Sequence, residues 1–330
     1  MSQLASELTD LIRRADRILI PMHVDPDGDS VGSVLAMGWA CQALGKSVTL
    51  VGADPVPQKY RFLAGTDQIQ QMSSAPEPFD LLLLLDCSTV DRIGAARQVV
   101  DDWDRLTIAV VDHHPGVKPD GDWHWIDPEM AATAEMIFDW FEWMDLTPTP
   151  GIASAMYTAI ATDTGFFAYS NTTAATFRRV AALVDQGASP HRVYEEVHER
   201  RRLSAVKLQG RAIENLQLSD GGRLAWSVLT PSEFQASEAA PEDSDGLINA
   251  LRAIDSIEVA ILFSQLDFDD KIKVSFRSRG GVDVGALAAD FGGGGHAKAA
   301  GAHLQKELDV TVKQVLAAAR QALIREGHPS

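Results

Sequence analysis

The 330-residue chain contains very little cysteine. Its two cysteines, Cys41 and Cys87, lie far apart in the sequence. They form neither a disulfide framework nor a CxxC zinc pattern, so a disulfide-stapled fold and a cysteine-based zinc site are excluded. This usage is typical of a protein of the reducing cytoplasm, and we expect a cytoplasmic protein.

Long apolar runs are also missing. The longest uninterrupted aliphatic run is Leu81–Leu85, whereas a bilayer span needs about 20 apolar residues. The N-terminal stretch MSQLASELTDLIRRADR lacks the apolar core of a signal peptide. The sequence therefore predicts no membrane partner.

Positive charge is scarce as well. The chain has 29 lysines and arginines against 46 aspartates and glutamates, which gives a formal net charge of −17. Proteins that bind long DNA or RNA usually present a basic surface, because phosphate neutralisation supplies most of the affinity. The balance argues against a binder of long duplex nucleic acid. It leaves open a small phosphorylated substrate held by metals and a few arginines.

The chain does contain a regular alternation of short apolar runs and helical patterns. The runs RILIPMHV, SVTLVGA, FDLLLLLDCS and LTIAVVDHH read as strands. Near-continuous apolar strands separated by helices predict an α/β fold with a parallel sheet and helices on both faces. We assign this domain to residues 1–189.

A polar helical connector and a second domain follow. We predict the connector over residues 190–218 and a smaller α/β domain over residues 219–330. Within that domain, SIEVAILFSQLD and KIKVSFRSRG predict a β-hairpin that turns around residues 267–270. The stretch VDVGALAADFGGGGHAKAAGAHL predicts a helix, a glycine turn, and then a helix or a strand.

Acidic residues and histidines follow three of the predicted strands. The carboxyl ends of parallel strands meet at one edge of a sheet and form the usual ligand site. We therefore expect these side chains to share one cleft. They are His23, Asp25, Asp27 and Asp29 in HVDPDGDS, then Asp86, then Asp112, His113 and His114, together with Asp163 from a helical pattern.

The donor types in this group predict a metal site. Carboxylates with a few imidazoles and no thiolate suit Mn²⁺ or Mg²⁺. Without cations, buried carboxylates would be costly and their pKa values would rise. Two divalent cations remove that cost and form the usual apparatus for hydrolysing phosphate esters.

Each residue also has a simpler explanation. An aspartate before a helix is commonly an N-cap, so Asp27 or Asp29 could have that role alone. Asp163 could cap a turn with Thr162 or Thr164. Asp86 is harder to explain without a cation, because a charge that ends five leucines is seldom left unpaired. Taken together, the pattern favours metal.

The motifs HVDPDGDSVGS, LLLLLDCSTVDRIG, VVDHHPG and AIATDTGFFAYSNTT resemble, in order and spacing, four motifs of the DHH phosphoesterase superfamily. KVSFRSRGGVDVGALAADFGGGGHAKAAGA resembles the accompanying DHHA1 domain. The length and two-domain layout are similar to the nano-RNases, which are bifunctional oligoribonucleases and pAp phosphatases. The resemblance implies a metal-dependent phosphoesterase that hydrolyses short 5′-phosphorylated RNA and pAp to mononucleotides. A phosphodiesterase for cyclic di-AMP or linear pApA is the alternative.

The resemblance also implies metal ligands. One metal would be held by His23, Asp27 and Asp86. The other would be held by Asp29, Asp86, His113 and Asp163, with Asp86 bridging the two. The expected ions are Mn²⁺, with Mg²⁺ as the alternative. Asp25 falls where many relatives carry asparagine and is not expected to be a primary ligand.

Two further residues complete the implied catalytic set of Asp86, Asp112, His113 and His114. Asp112 would orient His113, because imidazoles that bind metal usually donate their other N–H to a partner. His114 would lie near the scissile phosphate.

The second domain supplies positive charge for the substrate. Residues 271–298 contain five basic residues against two acidic ones. Arg277 can bind phosphate with a bidentate fork, and residues 292–295 are four glycines whose N–H groups could cradle phosphate. A flexible turn and a solvated strand face are the simpler alternatives. We predict that the substrate lies between the domains and is bound by Arg277, Gly293, Gly294, Gly295 and His296.

Other phosphoesterases and a non-enzymatic role fit less well. Manganese pyrophosphatases share the first-domain motifs but not this glycine–histidine pattern, and the large single-strand DNA exonucleases would need a longer, more basic chain. A nucleotide sensor without turnover would be expected to have lost a ligand, whereas every expected ligand position is filled here. The sequence allows a homodimer but does not specify the oligomeric state.

Overall fold

The computed structural model describes residues 2–71, 78–100, 103–265 and 271–326. The chain divides into two compact units, Met1–Arg200 and Arg201–Ser330. No helix within the described ranges is both long and apolar enough to cross a bilayer.

The first unit is built on a six-stranded sheet in which every pairing is parallel, as the apolar runs predict. The spatial order is β3-β2-β1-β4-β5-β6. The sequence did not predict the two short edge strands, β3 and β6. The strands are β1 (Arg17–Met22), β2 (Ser47–Gly52), β3 (Ile69–Gln70), β4 (Leu81–Leu85), β5 (Thr107–Asp112) and β6 (Trp123–Ile126).

Helices and one 3₁₀ segment cover the two faces of this sheet. Side chains alternate along a strand, so Leu81, Leu83 and Leu85 pack into the main core. Leu82 and Leu84 pack on the other face, in a smaller cluster that includes the 3₁₀ segment Val90–Val99. The helices are α1 (Ser2–Arg14), α2 (Gly28–Ala43), α3 (Thr133–Trp143), α4 (Pro150–Asp163), α5 (Ala174–Asp185) and α6 (Pro190–Tyr194), with short 3₁₀ turns at Gln58–Tyr60 and Thr66–Gln68 and a π-helical turn at Glu195–Glu199.

Helices α2 and α4 approach each other unusually closely. A Cβ added at Gly28 would clash with the Thr162 side chain, and one at Gly32 would clash with the carbonyl oxygen of Ala155. Glycine at these two positions therefore permits the contact. The contact fixes the start of α2 against the end of α4, where Asp163 lies.

The second unit contains another six-stranded sheet, in the order β11-β12-β10-β9-β8-β7. Among the described strands of this sheet, β8 and β9 pair in parallel and the other pairs are antiparallel. Its strands are β7 (Gln217–Ser219), β8 (Leu224–Leu229), β9 (Val259–Gln265), β10 (Lys271–Ser278), β11 (Gly294–His296) and β12 (Ala299–Gln305). Its helices are α7 (Leu203–Glu214), α8 (Pro231–Ser237), α9 (Ile248–Arg252), α10 (Val284–Ala289) and α11 (Leu308–Arg325), with 3₁₀ turns at Asp220–Gly222 and Pro241–Ser244.

The predicted hairpin is present as the antiparallel pair β9 and β10. Its predicted turn at residues 267–270 lies outside the described residues. From Gly294 onwards the chain forms strands β11 and β12, which decides between the helix and the strand that the sequence left open.

The close contact between α2 and α4 yields a stability prediction. Gly32→Ala should lower the free energy of unfolding by about 1–3 kcal/mol, because the helices must move apart. Gly210→Ala is the control: it lies inside α7, where an added Cβ meets open space, and should stabilise by roughly 0.5–1 kcal/mol. Urea unfolding measures both. A Gly32→Ala variant as stable as wild type would contradict the packing.

Candidate metal centre

The candidate site lies where the strand order of the first sheet reverses. The chain adds β2 and β3 on one side of β1 and then crosses to β4 on the other side. In open parallel sheets, the carboxyl ends of strands at such a reversal form the usual ligand site. His23 follows β1, Asp86 follows β4 at once, and Asp112 ends β5. The structure thus brings the predicted residues to one edge.

The first group of ligand atoms contains His23, Asp27 and Asp86, all within 4.8 Å of one another. The Nε2 atom of His23 lies 3.4 Å from Asp86 Oδ2 and 4.0 Å from Asp27 Oδ1. Its Nδ1 atom lies 2.7 Å from the Val24 carbonyl oxygen. Because a carbonyl can only accept, Nδ1 donates and Nε2 faces the carboxylates.

The second group contains Asp29, Asp86 and His113, again within 4.8 Å. Asp163 joins it: His113 Nε2 lies 3.2 Å from Asp163 Oδ2, 3.5 Å from Asp86 Oδ1 and 3.8 Å from Asp29 Oδ2. Asp86 therefore faces His23 with one oxygen and His113 with the other. This is the arrangement that a bridging ligand needs.

The backbone of Asp86 is held in the left-handed region, with φ 58°. Aspartate tolerates this region better than most residues, but it still has a cost, and such positions cluster at functional sites. The Asp86 N–H donates to the Val111 carbonyl at 3.1 Å, which extends the contact between β4 and β5. Asp25 also has a positive φ, 52°, but it is exposed and belongs to neither group.

Two of the aspartates also cap helices, although only Asp27 does so in the way that the simpler explanation predicts. Asp27 Oδ1 accepts from the N–H groups of Asp29 and Ser30 at the start of α2. Asp29 caps a different helix: it accepts from the N–H groups of Thr133 and Ala134 at the start of α3, at 2.5 and 3.0 Å. A carboxylate has about four lone-pair sites, so capping does not exclude metal binding.

Asp112 does not orient His113, which corrects the expectation from the sequence. Asp112 Oδ1 lies 2.8 Å from His114 Nδ1, and Ser88 Oγ donates to the other oxygen at 2.5 Å. His113 Nδ1 instead donates to the Met130 carbonyl oxygen at 3.1 Å. Side chains alternate along an extended chain, so residues 112 and 114 share one side and residue 113 takes the other.

The charges in the site are arranged as a cation site requires. Burial raises the pKa of Asp29 well above its usual range, and the neighbouring Asp86 and Asp163 raise it further. Burial alone would raise the pKa of Asp86, but the imidazoles of His113 and His23, whose Nε2 atoms lie 3.5 and 3.4 Å from its two oxygens, hold it well below its usual range. Burial would lower the pKa of His113, but Asp163 and Asp86 raise it well above its usual range. In the metal-free protein, bound protons therefore offset the charge that cations would otherwise neutralise.

The donor set fits divalent cations. Among the described residues, no lysine or arginine pairs with Asp29 or Asp86, and no donor hydrogen-bonds Asp86 Oδ2, although Asp86 is only 2% exposed. Carboxylate oxygens with imidazole nitrogens suit Mn²⁺ or Mg²⁺. Asp163 ends α4, where the helix dipole disfavours a negative charge, and a cation would offset that repulsion.

In the second unit, the glycine run proves to be mainly structural. Gly292 has φ 74°, and Gly292 and Gly293 donate to the carbonyls of Ala289 and Ala288 in the pattern that closes a helix. The N–H of Gly293 is therefore used within the fold, which corrects its predicted role as a phosphate donor. Gly295 is required because a Cβ there would clash with the Ala299 carbonyl.

Arg277 and His296 are brought into one row of the same sheet. Both pair with Ala299 of β12, Arg277 from β10 on one side and His296 from β11 on the other. Residues in one row point to the same face of a sheet, and both side chains are partly exposed. Gly294 lies two residues before His296 in β11, and a Cβ there would meet nothing within 4 Å. The row therefore places two basic side chains on the same partly exposed face.

Sequence reasoning missed Thr133, which touches two of the predicted ligands. Its N–H donates to Asp29, and its Oγ1 donates to Asp86 at 3.3 Å. A signal was present: the N-cap of α3 is Ala132, which has no side chain to cap the helix. A helix start without its own cap indicates that another segment supplies one.

The raised pKa of His23 gives a pH prediction for the metal-free protein. Burial would lower this pKa, but Asp86 and Asp27 raise it from 6.5 to about 9. The folded state therefore holds a proton that the unfolded chain releases. The resulting stability is present below pH 6.5 and is lost as pH rises through 9.

We expect the melting temperature in EDTA to fall by several degrees between pH 6.5 and 9. The variant His23→Gln should show a smaller fall over the same range. Differential scanning calorimetry measures both proteins. Equal pH dependence in the two proteins would contradict the assigned protonation.

Two protein-family models match this chain, one within each of its two compact units. The model of the DHH family N-terminal domain matches residues 17–160, and that of the DHHA1 domain matches residues 226–325. A solved structure of an exopolyphosphatase-related protein from Bacteroides fragilis superposes with a TM-score of 0.85. It covers 98% of this chain and 96% of its own at 24% identity, so it supports the fold.

Two curated relatives extend over almost the whole chain, and both are named bifunctional oligoribonuclease and PAP phosphatase NrnA. The relative from Thermus thermophilus is 34% identical over 94% of this chain and 91% of its own. The relative from Bacillus subtilis is 29% identical over 91% and 93%. With both domain models matched in order, the chain belongs to the DHH phosphoesterase family and carries the DHHA1 domain.

Proposed function

We propose that this phosphoesterase hydrolyses short 5′-phosphorylated oligoribonucleotides and pAp to mononucleotides. The main support for this proposal is the position of Asp86, whose two oxygens face two separate groups of acidic and imidazole ligands. The names of the two NrnA relatives support the substrate class. The net charge of −17 favours short substrates over long duplexes.

The proposed metal ligands follow the two groups. His23, Asp27 and Asp86 form one set, and Asp29, Asp86, His113 and Asp163 form the other. Bound divalent cations would supply a nucleophile at neutral pH and offset charge on the phosphate. The protein contributes the fixed spacing: Val24 and Met130 carbonyls hold the two imidazoles in the tautomer that presents Nε2 to the carboxylates.

His114 is proposed to contact the scissile phosphate. Its side chain is 28% exposed, while Ser88 and Asp112 fix its orientation. Burial would lower the pKa of His114, but Asp112 and Asp86 raise it. The raised pKa favours the protonated imidazole, and because Nδ1 faces Asp112 we assign the Nε2–H as the donor to a phosphate oxygen.

Arg277 and His296 are proposed to bind a second phosphate or the base of the substrate. Their common row places a guanidinium fork and an imidazole on one partly exposed face. Gly294 and Gly295 precede His296 in the edge strand β11 and add no side chain beside it. Gly293 leaves the proposed set, because its N–H closes α10.

Mn²⁺ is proposed as the native ion and the cytoplasm as the location. Each ligand group mixes imidazole with carboxylate, whereas Mg²⁺ prefers oxygen donors and keeps several waters. Both cysteines are buried free thiols, which agrees with a reducing compartment.

A substrate panel tests the proposed function. Purified protein with Mn²⁺ should convert pAp to AMP and a five-nucleotide 5′-phosphorylated RNA to mononucleotides, and should cleave cyclic di-AMP more slowly. Absence of turnover on both pAp and RNA would contradict the proposal. Faster cleavage of cyclic di-AMP than of either linear substrate would favour the dinucleotide alternative.

Replacing the shared carboxylate tests the site. Asp86→Ala should lower kcat on pAp by about 10³-fold or more, because both ligand groups lose a member. Asp25→Asn is the matched control, since it removes a nearby aspartate that belongs to neither group, and asparagine tolerates its positive φ. Its kcat should stay within a few-fold of wild type. Retained turnover in Asp86→Ala would disprove the bridging role.

A further inference from the structure

Residues 130–134, a short segment at the start of α3, contact three of the proposed metal ligands without contributing a ligand themselves. The Met130 carbonyl accepts from His113 Nδ1 at 3.1 Å. The N–H groups of Thr133 and Ala134 donate to Asp29. Thr133 Oγ1 donates to Asp86 at 3.3 Å. The position of this segment therefore sets the positions of ligands from both groups.

Glu135 holds the segment from one side. Its Oε2 atom accepts from the Ala131 N–H at 2.9 Å, and its side chain is almost fully buried. Arg179 of α5 lies 3.7 Å from the same oxygen and binds Asp139 of α3 through two hydrogen bonds of 2.7 Å. A bidentate guanidinium is directionally rigid. Arg179 thus fixes the first turns of α3 against α5.

Asn171 holds the segment from the other side. Its Nδ2 group donates to the Ala131 carbonyl at 3.3 Å and to the Asp163 carbonyl at 3.1 Å. One side chain therefore ties the segment to the backbone of a fourth proposed ligand. Ala131 is held through both its N–H and its carbonyl, by Glu135 and Asn171 respectively.

We propose that Glu135, Arg179 and Asn171 are positioning residues that set the metal affinity of the site through residues 130–134. This inference rests on the proposed metal ligands. None of the three side chains belongs to either ligand group. Partners of this kind orient ligands, and their loss typically weakens metal binding by about 10–100-fold.

The physical basis is the absence of a local cap. Ala132 cannot satisfy the first N–H groups of α3, so Asp29 does so from another helix. If residues 130–134 shift, Asp29 must follow its donors, and His113 must follow the Met130 carbonyl. Ligands of a compact cation have little tolerance for such shifts. Glu135 and Asn171 therefore act on the ion while remaining outside its ligand sets.

Calorimetric titration of the metal-free protein with Mn²⁺ tests the proposal, with circular dichroism to confirm folding. Glu135→Ala should weaken Mn²⁺ binding by about 10–100-fold, because Ala131 N–H loses its acceptor. Glu135→Gln keeps an acceptor oxygen at the same reach and should restore affinity to within several-fold of wild type. Asn171→Ala should weaken binding like Glu135→Ala and provides an independent variant if that protein fails to fold.

Glu233→Ala is the matched control. Glu233 has the same third position in α8 that Glu135 has in α3, and it accepts from the Thr230 N–H at 2.8 Å. This variant should lose stability and keep wild-type Mn²⁺ affinity. Unchanged affinity in Glu135→Ala and Asn171→Ala would overturn the positioning role alone. A wild-type chain that binds no Mn²⁺ would overturn the proposed function together with this inference.

Discussion

Repulsion among carboxylates at one edge of the first sheet is the constraint on which the site depends. Asp29 and Asp86 are buried, Asp163 is 10% exposed, and all three lie within 4 Å of the same imidazole nitrogen of His113. Charges this close are tolerated away from water only when they are neutralised. Protons on His23 and His113 do this without metal, and divalent cations would do it better. The family's metal dependence follows from this arrangement.

The fold supplies the means to hold these charges in place. The reversal of strand order between β1 and β4 brings His23 and Asp86 to neighbouring strand ends. Gly28 and Gly32 let α2 approach α4, so that Asp29 and Asp163 face the same histidine. The dipole at the start of α3 favours the negative charge of Asp29. The order of the strands, the packing of α2 against α4 and the helix caps therefore all position the same few ligand atoms.

Much of this could be predicted from the sequence, because apolar runs ending in aspartate or histidine encode both the strands and their chemistry. The partner of His113 could not, since a backbone carbonyl such as that of Met130 has no signature in the side-chain pattern. The glycines at 292–295 were predicted to bind phosphate, yet Gly292 and Gly293 close a helix and Gly295 avoids a clash. Close backbone approach and phosphate binding both select glycine, so sequence alone does not separate them.

The central claim is that Asp86 is shared by two cations. A crystal structure of the Mn²⁺-loaded protein, with anomalous scattering to locate manganese, tests it most directly. The account predicts two manganese peaks, each within bonding distance of a different oxygen of Asp86. A single peak, or two peaks of which only one contacts Asp86, would contradict it.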